Sequence, residues 1–178
     1  LILLCVPLIG FGQNRYHIDE VTSPNDTLTY LKHDMSLLNG IVYQEWENYH
    51  TGNSLRSEKT CKDGKNDGQW RLWYFNGQLH IDGDFRGGKE DGLWRWWHEN
   101  GQLESQQNWK DGKRDGLSSW WHENSQLSSQ SNWKDGNPYG IVKFYYENGN
   151  LKKEVNYKDG NIFSAECWDE NSNKIDCE

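Results

Sequence analysis

The chain has 178 residues, is 34% hydrophobic yet 14% aromatic, and holds eleven Trp against a single Met. A large aliphatic core is excluded: what core there is must be made of rings, and rings suit strands. The formal charge of −8 sits mainly on the two ends, and no basic stripe able to neutralise phosphates is present, which argues against DNA or RNA as a partner.

Residues 1–12, LILLCVPLIGFG, are uncharged, and they are apolar from Leu1 to Phe11. That run is too short to cross a bilayer as a helix. It fits the apolar part of an export signal, with Gly10 and Gly12 as the small residues of a cleavage site before Gln13; the alternative is a buried strand. Cys5 lacks the small neighbours of a lipoprotein anchor. The expectation is an exported protein, with residues 13–29 as an N-terminal extension.

Glycines at 68, 92, 116 and 140 are each 24 residues apart. Aligned copies run 68–91, 92–115, 116–139 and 140–163, preceded by a degenerate copy, 40–67, that carries four extra residues. Self-similarity at a fixed period marks a repeat architecture. The recurring turn reads FNGQL, ENGQL, ENSQL and ENGNL, and a Lys-Asp-Gly punctuates most copies. Asn-Gly with positive φ at both central positions predicts a two-residue hairpin turn. Pairing across Asn100-Gly101 then sets His98 opposite Leu103 and Trp96 opposite Ser105. Period-two alternation places Trp94, Trp96, His98, Leu103 and Trp109 on one face, and Arg95, Trp97, Glu99, Gln102, Glu104 and Gln106 on the other. The predicted fold class is all-β: an elongated antiparallel meander of 24-residue hairpins, each marginal alone and stabilised by its neighbours. Its core aromatics are Trp70, Trp94, Trp96, Trp109, Trp120, Trp133 and Tyr157.

Residues 164–178 read as a C-terminal capping hairpin. In ECWDENSNKIDCE the ends are symmetric about Ser172, which predicts a Cys167–Cys177 bridge with the two cysteines opposite each other. Cys61 stands where other copies have Phe or Trp, and reads as a buried thiol filling a hydrophobic position.

The adjacent His and Glu of WWHEN invite a catalytic or metal reading. His98 and His122, however, stand where Tyr74 and Tyr146 stand in neighbouring copies: one ring exchanged for another. The aspartates of KDGKRDG are turn residues flanked by cations that would repel calcium. No nucleophile elbow, phosphate loop or His-Glu-x-x-His occurs. No catalytic residue, metal or cofactor is expected.

The pattern DG-x-W-x-x-aromatic-x-ENG-x-L, followed by an aromatic and KDGK, matched almost throughout by Asp91–Lys113, resembles the bacterial variant of the MORN repeat. The resemblance covers about residues 30–163, with LTYLKHDMSLLNGIVYQEW leading into the array. Ser118 for Trp and Ser125 for Gly depart from it. It implies an all-β array without enzymatic activity; many such chains carry an antitoxin label, and MORN repeats in general are linked to lipids and to scaffolding. Beside it stands an observation on the residues. Trp73, Trp97, Trp121 and Tyr145 recur every 24 residues on the face expected to be polar, a candidate binding ladder; the alternative is that they are core. The expected partner is a protein, such as a toxin or an envelope component, with an envelope glycan or a lipid surface as alternatives. The acidic chain lacks the basic cluster that anionic headgroups attract.

Overall fold

The computed structural model describes residues 14–22, 30–31, 36–46, 54–158 and 160–177. The apolar segment 1–12 and Cys5, on which the export reading rests, lie outside the described residues, as do 47–53 of the insertion. The strands are β1 (Arg15–His17), β2 (Val21–Thr22), β3 (Tyr30–Leu31), β4 (Gly40–Trp46), β5 (Ser54–Lys62), β6 (Lys65–Trp73), β7 (Leu79–Arg86) and β8 (Lys89–Trp97). They continue as β9 (Leu103–Lys110), β10 (Lys113–Trp121), β11 (Leu127–Lys134), β12 (Asn137–Tyr145), β13 (Leu151–Lys158), β14 (Asn161–Trp168) and β15 (Lys174–Ile175).

From β4 to β15 each strand pairs antiparallel with the next in sequence, the meander that the period predicts. β1 is the exception: it lies parallel to β4, Tyr16 beside Val42, so the thirteen-stranded sheet is mixed at that edge. β2 and β3 form a separate two-stranded ribbon.

Two kinds of turn alternate, and the structure corrects which is which. Positive φ at both central positions belongs to Asp-Gly: Asp63 and Gly64, Asp111 and Gly112, Asp135 and Gly136. These two-residue turns set Lys62 opposite Lys65 and Lys110 opposite Lys113, and where Gly87 replaces Asp the same geometry follows at no steric cost. In the Asn-Gly turns only the Gly is left-handed. Gly101 N–H donates to the His98 carbonyl, closing a turn over 98–101, and His98 N–H donates to Gln102. Leu103 therefore pairs with Trp97 instead of His98, with a register shift that leaves Glu104 unmatched, while Trp96 does face Ser105 as expected. The cause is the Asn side chain. Asn100 Oδ1 accepts from Gln102 N–H at 2.9 Å, an Asx turn that does not need the residue itself in the left-handed region.

Register across strands builds the aromatic face. One row runs Leu72, Ile81, Trp96, Ser105, Trp120, Ser129, Phe144, Lys153 and Cys167. Large and small side chains alternate along its middle, so Ser105 is buried between two indoles. In the neighbouring row Trp94 is 3% exposed. Its ring lies against Gly83, where any Cβ would overlap the indole, and it makes edge contacts with Phe85 and a tilted one with Trp70. Trp94 Nε1 donates to the Asp84 carbonyl at 3.1 Å, which satisfies its buried polar group.

At the N-terminal end Val21, Leu38, Val42 and Cys61 form a small aliphatic core, joined by Tyr16 and Leu31. Cys61, 3% exposed, is a reduced thiol occupying a hydrophobic position, as the repeat alignment predicts. Cys167 and Cys177 are bridged. The hairpin that carries them is registered differently from the symmetric expectation: Cys167 faces Ile175 and Trp168 faces Lys174. The turn is again of the Asn-Gly kind, with Ser172 left-handed and donating its N–H to the Asp169 carbonyl.

Candidate interaction surfaces

Trp73, Trp97, Trp121 and Tyr145 each end a strand and are half-buried. Each pairs across the hairpin with a leucine: Leu79, Leu103, Leu127 and Leu151. The shift at each Asn-Gly turn thus places Leu103 across from Trp97, whereas simple alternation puts the two on opposite faces. The structure brings these four rings to equivalent positions on neighbouring hairpins, with an apolar partner beside each.

Their backbone carries a second ladder. Tyr74 Oη donates to the Trp97 carbonyl at 2.7 Å, and Tyr146 Oη to the Trp168 carbonyl at 2.9 Å. Between them, His98 Nε2 meets the Trp121 carbonyl at 3.4 Å and His122 Nε2 the Tyr145 carbonyl at 3.1 Å. A carbonyl can only accept, so each contact is a hydrogen bond in the form of the imidazole that bears a proton on Nε2. Ring for ring, His and Tyr perform one task, tying a hairpin to its successor. The Asn of each turn adds a third ladder through Nδ2: Asn76 to the Glu99 carbonyl, Asn100 to Glu123, Asn124 to Glu147 and Asn148 to Glu170. Burial, followed by the charges of Glu104 and Glu99, raises the Tyr74 phenol above its ordinary 10.0, so it donates throughout the physiological range. Among the described residues no three His, Cys, Asp or Glu side chains are grouped to hold a metal.

The polar face divides in two. On β7 and its neighbours it is charged: Asp82 takes Arg71 at 3.2 Å, Arg95 at 3.7 Å and a hydrogen bond from Gln69. Towards the C-terminus it becomes apolar. Leu117, Asn132 and Tyr139 form one row across β10, β11 and β12. Ile141, Asn156 and Ser164 form the next row, across β12, β13 and β14. Tyr139 is 50% exposed, Ile141 45% and Leu117 39%, and on β14 Phe163 reaches 71%. Lys143 and Glu154, paired at 3.6 Å, border this patch.

The sequence reading missed this patch, yet a signal was present. The residue before the boundary position is Asp67, Asp91 and Asp115 in the earlier copies, Tyr139 before Gly140, and Phe163 before Ser164, which stands in place of the glycine. Asp67 and Asp115 accept backbone N–H groups from the turns at Gly87 and Asp135; at Tyr139 and Phe163 that carboxylate is replaced by a ring.

Among the core aromatics, Trp94 is buried and Trp70, Trp96, Trp109, Trp120, Trp133 and Tyr157 are half-buried. Arg114 fills the space left where Ser118 replaces a tryptophan. Its guanidinium lies 5.7, 5.6 and 4.9 Å from the ring centres of Trp109, Trp120 and Trp133. Burial lowers its pKa below the ordinary guanidinium range, and a guanidinium keeps its charge at neutral pH.

Comparison with known proteins gives one family. The MORN repeat variant matches at residues 66–86, 90–111, 114–135 and 138–159, which are four consecutive hairpin repeats of this sheet. No curated protein matches the chain. Among solved structures, the crystal structure of TarM is similar over 61% of this chain and 21% of that one, at 13% identity and a TM-score of 0.36. The chain therefore spans about a fifth of TarM's length.

Proposed function

Since the chain carries four consecutive repeats of the MORN variant family, we propose that it is a non-enzymatic module that docks another protein on its sheet. The observation that carries this reading is the apolar end of the polar face. Tyr139, Ile141, Leu117 and Phe163 are exposed together, with a rim of charged side chains. Exposed apolar area that is contiguous and has a polar rim suits a partner surface. The half-buried Trp121 ends the strand that carries Leu117, Trp97 holds the equivalent place one hairpin earlier, and the two extend the candidate surface.

The finer reading places this module outside the cytosol, with an envelope protein or a toxin of the antitoxin type as the partner. Residues 1–12 support export by their composition, and the Cys167–Cys177 bridge suits an oxidising compartment. The test is affinity capture from an envelope fraction with the full chain as bait. It is run beside Tyr139→Lys with Ile141→Lys, and beside Trp97→Ala with Trp121→Ala. A protein retained by the wild type and lost from the Tyr139/Ile141 variant supports the reading. Capture that both variants leave unchanged, or recovery of lipid alone, refutes it.

A further inference from the structure

We propose that the aromatic face holds a binding cleft for a neutral saccharide, on the side of the sheet opposite the docking patch. The cleft occupies about 410 Å³ over β10 to β13, within the range of small-molecule pockets, about 300–1,000 Å³.

Its origin is a lapse in core filling. In the row Trp120, Ser129, Phe144 a serine lies between two rings. Ser105, one repeat earlier in the same row, is sealed between Trp96 and Trp120 and is 4% exposed. At Ser129 the second wall is the smaller Phe144, which is itself 38% exposed, and the seal opens. The next row does not close the gap: Ser131 and Val142, which line it, are small side chains, while Ser118 beside Ser131 is fully buried.

The chemistry of the walls selects the ligand. Trp120, Trp133, Phe144 and Tyr157 present rings, Ser128 and Ser129 present hydroxyls, and no lining residue carries a charge. The negative face of an aromatic ring attracts the polarised C–H face of a pyranose, and hydroxyls at the floor match sugar hydroxyls. A cationic ligand is disfavoured because the Arg114 guanidinium already lies against Trp120 and Trp133. An anion would find no exposed donor charge within the lining. The walls are preorganised: Arg114 wedges the two indoles, and Trp133 Nε1 donates to Ser131 Oγ at 2.7 Å.

The test uses the full chain, titrated with cellotriose, maltotriose and chitotriose while the indole N–H signals are followed by NMR. Saturable shifts at Trp120 and Trp133, with Trp73 unmoved, are expected for at least one of the three. Ser129→Phe, which fills the floor, and Phe144→Ala, which removes an exposed wall, should each weaken that binding about tenfold or more. Two variants are used so that a folding failure in one leaves the other decisive. No saturable shift with any of the three sugars overturns the proposal, as does binding that survives in the folded variants. Tyr139 and Ile141 lie on the other face, so protein capture and saccharide binding can fail independently.

Discussion

Tyr74 and Trp97 stand in adjacent repeats, 23 residues apart, and the phenol of one donates to the backbone carbonyl of the other at 2.7 Å. The same relationship recurs at His98 with Trp121, His122 with Tyr145 and Tyr146 with Trp168. A single hairpin has no means of satisfying the tip of its own terminal ring. Its successor supplies the acceptor, which is how marginal units become one sheet.

Tyr74→Phe keeps the ring and removes the donor, leaving the Trp97 carbonyl short of a partner. Destabilisation of about 1 kcal/mol is expected, measured by urea denaturation. Tyr146→Phe should cost a similar amount. A neutral result at both positions would show that solvent serves these carbonyls equally well.

Ser125 occupies the left-handed position of its turn at φ 67°, where the sibling turns have Gly77, Gly101 and Gly149. An L side chain there is strained, by roughly 1–2 kcal/mol, part of which the greater chain entropy of glycine takes back. Ser125→Gly should therefore stabilise the protein by about 0.5–1 kcal/mol, seen as a rise in Tm. A fall in Tm would mean that the Ser125 side chain makes a compensating contact.

Gly83→Ala forces a Cβ into the Trp94 indole, which has Trp70 and Phe85 on its other sides. Overpacking of this kind costs about 1–3 kcal/mol. The measurement is chemical denaturation, with the Trp fluorescence maximum as a second probe of the displaced ring. Unchanged stability would place the Trp94 ring elsewhere.

The Asp169 carboxyl is held below its ordinary 3.8 by hydrogen bonds from the Asn173 side chain, then the Asn173 backbone, with a further one from Asn171 N–H. A depressed folded-state pKa stabilises the fold above the unfolded value, and that contribution is lost as pH falls through the folded value. NMR titration should find Asp169 titrating below 3.8 in the wild type and returning towards it in Asn173→Ala. Equal titration in both chains would remove the turn bonds as the cause.

Much of this was legible in the sequence because the period is strict. Gly68, Gly92, Gly116 and Gly140 mark the units, and the rings at 94, 96 and 109 share a face as period-two alternation requires. The turns were less legible. Asn-Gly is compatible with more than one turn, and the choice here is made by the Asn side chain: Asn76 Oδ1 accepts from Gln78 N–H within the turn while its Nδ2 reaches the Glu99 carbonyl of the next repeat. One misassigned turn is enough to move Leu103 from His98 to Trp97. The Cys167–Cys177 pair was legible from spacing, but its register was not, because Ser172 takes the position that turn glycines hold elsewhere. The docking patch and the cleft were hidden for a common reason. Both arise where a copy departs from the repeat, at Tyr139 and Phe163 for one and at Phe144 for the other, and such departures read as noise until the register places them side by side.

The stacking of equivalent positions is tested most directly by nuclear Overhauser contacts between ring protons of one repeat and the end of the corresponding strand in the next. Tyr74 to Trp97, His98 to Trp121, His122 to Tyr145 and Tyr146 to Trp168 should all give cross-peaks in the folded chain. Cross-peaks missing from this set, or rings that contact only their own hairpin, would contradict the ladder and with it the sheet on which both proposed surfaces are built.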